Sequence, residues 1–201
     1  MWKYGSNRIK ELISLSLPEG AEAFGMQFCR LKPEFRTPEI YRELLNRPDG
    51  LPTYVTNYRH FENSQKSDDV LAQELLELAE YGATLCDVMG DYFKITKGEL
   101  TRDEEAISKQ MKLIDDLHSR GAEVLMSSHV SRFISSEEVL DIALEHQRRG
   151  ADICKIVTDG PTMADQIENL RIINLLKQEL KIPFLYLAGG ECRILRRLGG
   201  L

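Results

Sequence analysis

Short apolar runs alternate with longer amphipathic stretches along most of this chain. The runs predict strands at roughly 22–30, 53–59, 84–89, 123–129, 153–158 and 184–190. Four of the stretches carry apolar residues at helical spacing. The core faces that we expect for these four helices are Leu71, Leu75, Leu78 and Ala79; Ile107, Met111, Ile114 and Leu117; Val139, Ile142, Ala143 and His146; and Met163, Ile167, Leu170 and Ile173.

A Gly-Ala pair precedes an apolar run at 20–21, 82–83, 121–122 and 150–151. A glycine that ends a helix in the left-handed conformation and leads into a strand gives this pattern. Repeated helix-to-strand units are typical of parallel sheets with right-handed crossovers. The sequence therefore predicts the α/β class, as a TIM-like (β/α) barrel or an open doubly wound sheet.

Segment 13–17 is also apolar, but too few residues separate it from the strand near Ala21 for a crossover helix. We therefore expect it to end an N-terminal helical segment that covers residues 1–19. Two capping boxes, Thr101-x-x-Glu104 and Ser135-x-x-Glu138, predict the starts of two later helices.

Composition limits the classes of protein that remain. With 201 residues, of which 42% are hydrophobic, residues 1–201 can form one compact domain. The net charge of -6 argues against a nucleic-acid partner. No long apolar stretch predicts a signal peptide or a membrane span. The cysteines form no Cys-x-x-Cys pair, which argues against a zinc ribbon and favours the reducing cytoplasm; they are Cys29, Cys86, Cys154 and Cys192.

His129 and Lys155 are the strongest candidates for chemistry. His129 ends one predicted strand, and Lys155 lies inside the next one. A lysine in a buried strand is costly because desolvation disfavours the ammonium form, and an unprotonated amine is a nucleophile that can form an imine. Reactive groups of parallel sheets gather at the carboxyl ends of strands, where this chain has Arg59, Asp87, Asp91, His129, Lys155 and the turn 188–190.

Several motifs at these positions resemble type I 3-dehydroquinate dehydratase. Ser127-Ser128-His129 is similar to that family's Ser-x-His strand end, and Lys155-Ile156 to its Lys-Ile-Ala. Asn57-Tyr58-Arg59 resembles its Thr-Phe-Arg, and Cys192-Arg193 its Ser-Arg after the seventh strand. The resemblance spans about residues 20–201 and implies a (β/α) barrel of which about six of the eight strands are recognisable here.

The resemblance also implies a mechanism without cofactor or metal. Lys155 would form a Schiff base with a ketone, and His129 would be the general acid and base. Arg193 would hold the substrate carboxylate, and Glu62 would orient His129. The other substrate-binding positions that the resemblance implies are Arg59, Gln27 and Asp87.

The chain also departs from the family. Gln27, Cys29 and Leu31 stand where the family has Glu, Arg and Asp, and Met89 stands where it has Glu. The implied substrate is therefore 3-dehydroquinate or a related cyclic keto acid. We recognise no counterpart of the family's first and eighth strands in this sequence. Either the barrel is a variant without them, or the chain is truncated. The resulting gap predicts self-association, as a homodimer or otherwise, or coverage by residues 1–19.

Three alternatives remain open. The chain could be a catalytically silent barrel relative that serves as a binding or assembly module. It could be a class I aldolase that acts on a phosphorylated sugar, with Gly189 and Gly190 as the phosphate cradle. A metal enzyme using His129, Asp87 and Asp91 is the third alternative, although no His-x-His pair supports it.

Overall fold

A computed structural model of the chain describes residues 6–46, 50–190 and 195. These residues form six parallel strands that alternate with helices, and the strand order equals the chain order. The strands are β1 Phe24–Gln27, β2 Thr53–Thr56, β3 Leu85–Met89, β4 Glu123–His129, β5 Ile153–Thr158 and β6 Phe184–Ala188. The α-helices are α1 Ser6–Ser16, α2 Pro38–Leu45, α3 Asp68–Glu80, α4 Glu104–His118, α5 Ser136–Arg148 and α6 Met163–Glu179.

All six predicted strands are present, and α1 contains most of segment 13–17, so both predictions are confirmed. The first strand is shorter than expected. After Gln27 the chain turns into a 3-10 helix, Phe28–Arg30, which buries Phe28 and Cys29. Phe28 and Cys29, which the sequence placed within the predicted strand 22–30, therefore lie in the core after the end of β1.

The chain divides into two compact units, residues 1–87 with 116–123 and residues 88–115 with 124–201. Val55, Leu71 and Leu75 are fully buried in the first unit, and Val139, Ile156 and Ile172 are buried in the second. A single domain stays a prediction. Among the described residues, no helix is long and apolar enough to cross a membrane.

The predicted core faces are confirmed for α3 and α5. The Ser135 capping box is also confirmed, whereas the box at Thr101 is wrong: α4 begins at Glu104, and the Asp103 carboxylate accepts the hydrogen bond of the Ala106 N–H group. In α4 the predicted core residue Met111 is exposed, and Leu113 is buried.

The predicted core face of α6 is wrong. Met163, Ile167 and Leu170 are exposed, whereas Gln166 and Asn169 are buried. The Asn169 side-chain oxygen accepts a hydrogen bond of 2.6 Å from the Tyr186 hydroxyl, which offsets part of the cost of burying the amide. Helical periodicity counts apolar residues and cannot recognise a buried face that includes polar side chains.

Helix α1 lies beside the edge strand β1 in the first unit. Its residues Ile9, Leu12 and Ile13 line a cavity of about 330 Å³ together with Phe24 and Met26 of β1. Ile13 is 4% exposed, whereas Leu15, two positions later, is 60% exposed. This arrangement supports coverage of β1 by α1, the described helix within the expected segment 1–19; self-association stays a prediction.

If α1 protects β1, Ile13→Ala should lower the free energy of unfolding by about 2 kcal/mol. The matched control Leu15→Ala should change it by less than about 0.5 kcal/mol, because an exposed side chain loses little packing. Urea unfolding measures both values, and light scattering of a variant without residues 1–19 should detect self-association through the uncovered edge. Equal stability of the two point variants, with a monomeric and well-folded deletion variant, would contradict the assigned role of α1.

Candidate active site

Strands β4 and β5 place His129 and Lys155 on one face of the sheet in the second unit. The two strands are parallel, with Ser127 opposite Lys155 and His129 opposite Val157. Because side chains alternate along a strand, Ser127, His129 and Lys155 point to the same side. The Cα atoms of His129 and Lys155 are then roughly 8 Å apart, from the usual strand spacing and rise. This distance allows both side chains to reach one small molecule.

Lys155 is half-buried, and so are Ile153 and Val157 on the same side of β5. The alternate residues Cys154 and Ile156 are fully buried on the opposite side of the strand. The lysine therefore lies on the more accessible face, which a reacting amine requires.

The His129 ring is held by Glu99. The Glu99 Oε2 atom lies 2.6 Å from His129 Nδ1 and also accepts a hydrogen bond of 3.2 Å from the His129 backbone N–H group. A carboxylate accepts hydrogen bonds, so Nδ1 carries the hydrogen in this pair. Nε2 is then the ring nitrogen that can exchange a proton with a substrate.

Glu99 thus makes the contact with His129 Nδ1 that was expected of Glu62, and a role of Glu62 at the substrate stays a prediction. The Glu62 side chain is exposed in the first unit, within a 3-10 helix, Phe61–Asn63. Glu99 was not predicted, since it lies between β3 and α4 and no motif marks it. The only sequence signal is its position after Gly98, in a segment that follows the carboxyl end of a strand.

Glu99 adopts a left-handed backbone conformation, with φ of 52°. For a residue other than glycine this conformation costs roughly 1–2 kcal/mol. The preceding Gly98 has φ of 92°, so the chain reverses over two residues. The surrounding contacts must hold Glu99 in this unfavourable conformation.

Arg149 forms hydrogen bonds with both ends of segment 90–101, which contains Glu99. Its guanidinium is buried and donates hydrogen bonds to the carbonyl groups of Gly90 and Thr101, and to the Gln110 side chain. Glu145 neutralises the charge through a hydrogen bond of 2.9 Å from Arg149 Nε. Hydrogen bonds from Arg148 and then from Arg149 lower the pKa of Glu145 to about 2, against the opposing effect of burial.

The predicted substrate-binding residues of the first unit have partners within that unit. Gln27 is exposed and accepts a hydrogen bond of 2.6 Å from Arg30. Arg59 forms a two-pronged ion pair with Asp68, at 2.6 and 2.8 Å. Their roles in binding a substrate stay predictions.

Asp87, also predicted to bind substrate, is 1% exposed. It accepts hydrogen bonds from the hydroxyl groups of Tyr54 and Tyr58. Burial and the neighbouring Asp87 raise the pKa of Tyr54, so the phenol stays protonated and remains a donor. The carboxylate is thus held by two phenols in its own unit.

Two further predictions concern the region after β6. Arg193 lies outside the described residues. The N–H group of Gly189 donates a hydrogen bond of 2.9 Å to the Thr158 carbonyl. A side chain at Gly189 or Gly190 would meet the Asp159 carboxylate, at 3.0 and 2.7 Å respectively, so an acidic group packs against both glycines.

Comparisons with known proteins identify the fold. The chain resembles the 3-dehydroquinate dehydratase of Enterococcus faecalis, with 17% identity, a TM-score of 0.77, and coverage of 97% of this chain and 79% of that chain. For the enzyme of Geobacillus kaustophilus the identity is 16%, the TM-score 0.78 and the coverage 97% and 72%. These similarities confirm the predicted fold class, an incomplete TIM-like (β/α) barrel.

A third similar structure is the type I enzyme of Clostridium difficile with covalently modified comenic acid, at 18% identity and a TM-score of 0.74, which covers 96% of this chain and 75% of that chain. No curated protein sequence matches the chain. The family model of type I 3-dehydroquinase, however, matches residues 51–200. Because this match covers most of the sequence, the chain belongs to the type I 3-dehydroquinase family.

Proposed function

We propose that this chain is a lyase that dehydrates 3-dehydroquinate or a related cyclic keto acid through a Schiff base on Lys155. The observation that carries the proposal is the shared face of His129 and Lys155 on adjacent strands, with His129 Nδ1 held by Glu99. The family and the folds of its 3-dehydroquinate dehydratase relatives support the same reaction.

The reaction begins when the neutral Lys155 amine adds to the substrate ketone. Loss of one water molecule gives an imine, which acts as an electron sink. His129 Nε2 then removes a proton from the adjacent carbon, and the electron pair moves into the imine to give an enamine. The enamine expels the hydroxyl group one carbon further on, and His129 returns its proton to form water. Hydrolysis of the remaining conjugated imine releases the product and Lys155.

The contact between Glu99 and His129 supports the assignment of proton transfer to His129. The carboxylate fixes the ring orientation and stabilises the imidazolium that forms when Nε2 takes a proton. It performs both tasks without receiving the proton itself. The covalently modified ligand in the Clostridium difficile relative is in line with covalent chemistry in this fold.

The departures in the first unit bear on the substrate. Cys29 and Leu31 replace polar residues of the family and are 1% and 3% exposed, so neither offers a polar group to a ligand. We therefore propose a substrate class, cyclic keto acids with a hydroxyl group β to the ketone, of which 3-dehydroquinate is the first to test. Binding by Gln27, Arg59, Asp87 and Arg193 is part of this proposal.

Two alternatives are less well supported. A phosphate cradle needs available N–H groups, but that of Gly189 is donated to Thr158, and the Asp159 carboxylate next to both glycines would repel a phosphate. Among the described residues, no group of three or more His, Cys, Asp or Glu side chains is arranged to hold a metal ion, so the metal enzyme lacks a ligand set there.

Borohydride trapping tests the proposal. The protein is incubated with 3-dehydroquinate, reduced with borohydride and analysed by intact mass. A covalent adduct is expected. The mass gained by the protein should correspond to reductive attachment of the dehydrated product, which is one water lighter than the substrate. A protein that forms no adduct with 3-dehydroquinate or other cyclic β-hydroxy ketones, and does not dehydrate them, would be the catalytically silent relative.

A further inference from the structure

A buried chain of hydrogen bonds ends on the backbone of Glu99. The Ser128 hydroxyl donates a hydrogen bond of 2.7 Å to the Glu99 carbonyl oxygen. The same hydroxyl lies 2.9 Å from Nε2 of His146, a residue of α5. Ser128 and His146 are both fully buried. These hydrogen bonds lie on the side of β4 opposite to His129, because side chains of consecutive strand residues point in opposite directions.

The directions of these hydrogen bonds follow from the groups involved. Since the Glu99 carbonyl can only accept, Ser128 donates to it and accepts from His146 Nε2–H. His146 Nδ1 is then the acceptor that faces the Cys154 thiol at 3.4 Å. Burial and then the positive charge of Arg149 lower the pKa of His146 to about 3, so the ring is neutral and has one donor nitrogen.

The packing around these atoms leaves little room for an alternative arrangement. A Cβ atom at Gly90 would collide with the Glu99 carbonyl oxygen and would lie 2.8 Å from Ser128 Oγ and 3.3 Å from His146 Nε2. The absence of a side chain at Gly90 thus allows the carbonyl of Glu99 to reach Ser128. The peptide of Glu99 is held from one side by Ser128, while its carboxylate holds His129.

We propose that Ser128 and His146 are positioning residues that hold Glu99 in its left-handed conformation and thereby keep its carboxylate on His129 Nδ1. This role rests on the proposed function, in which His129 transfers the protons. Neither residue touches the substrate. Loss of the hydrogen bonds made by Ser128 and His146 should release Glu99 toward an ordinary backbone conformation and leave the His129 ring without a fixed orientation.

The test compares His146→Leu with His146→Gln. Leucine removes the donor to Ser128, whereas the glutamine amide can place an N–H group near the position of Nε2. In protein labelled with 15N-histidine, the low-field proton on His129 Nδ1 should be lost in His146→Leu and retained in His146→Gln. The kcat of His146→Leu should fall roughly 10- to 100-fold with little change in KM, because orientation is lost and substrate binding is not.

Ser128→Ala provides the same information if His146→Leu does not fold, since it removes the donor to Glu99 directly. Cys154→Ala is the matched control: it alters the same buried cluster beyond His146 and should keep the His129 signal. If both His146→Leu and Ser128→Ala retain the Nδ1 proton and the parent kcat, the proposal is wrong. Loss of the proton in a protein that dehydrates no keto acid would uphold the positioning role and refute the proposed function.

Discussion

Replacement of Lys155 by alanine is expected to abolish turnover and leave the fold intact. The amine forms the imine in the proposed mechanism, so its loss removes the covalent pathway, and kcat should fall by at least about 10³-fold. The side chain is half-buried and contributes little packing, so the free energy of unfolding should change by about 1 kcal/mol or less. Arginine would be a poor substitute, since its guanidinium stays protonated.

A dehydration assay with 3-dehydroquinate measures the fall in kcat, intact mass after borohydride reduction measures the loss of the adduct, and urea unfolding measures the change in stability. Lys97→Ala is the matched control, because Lys97 is an exposed amine two residues before Glu99. It should retain the adduct. An adduct that persists in Lys155→Ala, or that maps to Lys94 or Lys97, would assign the imine to another amine.

The sequence was sufficient to predict the positions of the strands, because each strand is an apolar run between polar turns. It was not sufficient where polar groups are buried. In α6 the apolar residues Ile167 and Leu170 face outward, and the buried face includes Asn169, whose side-chain oxygen accepts a hydrogen bond from Tyr186 of β6. Such a face depends on a partner 17 residues away in the sequence, which periodicity cannot show.

In the candidate site, too, some residues could be predicted from the sequence and others could not. His129 and Lys155 could be predicted, since each occupies a recognisable position on a strand. Glu99 could not, because its contact with His129 joins residues 30 positions apart and requires a left-handed backbone that Ser128 supports. Glu62 was predicted instead from the resemblance alone. The motif identified the two candidate residues, whereas the carboxylate that holds His129 comes from the segment between β3 and α4.

His129→Ala should separate the two chemical steps of the mechanism. In the proposed mechanism, imine formation requires the Lys155 amine, whereas proton removal from the adjacent carbon requires His129 Nε2. The variant should therefore form the reduced adduct and yet lose about 10²- to 10⁴-fold in kcat, the usual contribution of a positioned general acid and base. Because dehydration is blocked, the adduct should carry the mass of the intact substrate, one water heavier than the adduct of the parent protein.

The matched control is His118→Ala, since His118 is exposed at the end of α4. This variant should turn over at the parent rate and give the dehydrated adduct. Glu99→Gln should lie between the two: the amide keeps the shape of the side chain but not the charge that stabilises the imidazolium, so kcat falls while the adduct forms. Turnover by His129→Ala at the parent rate would make His129 a structural residue and move proton transfer to another group.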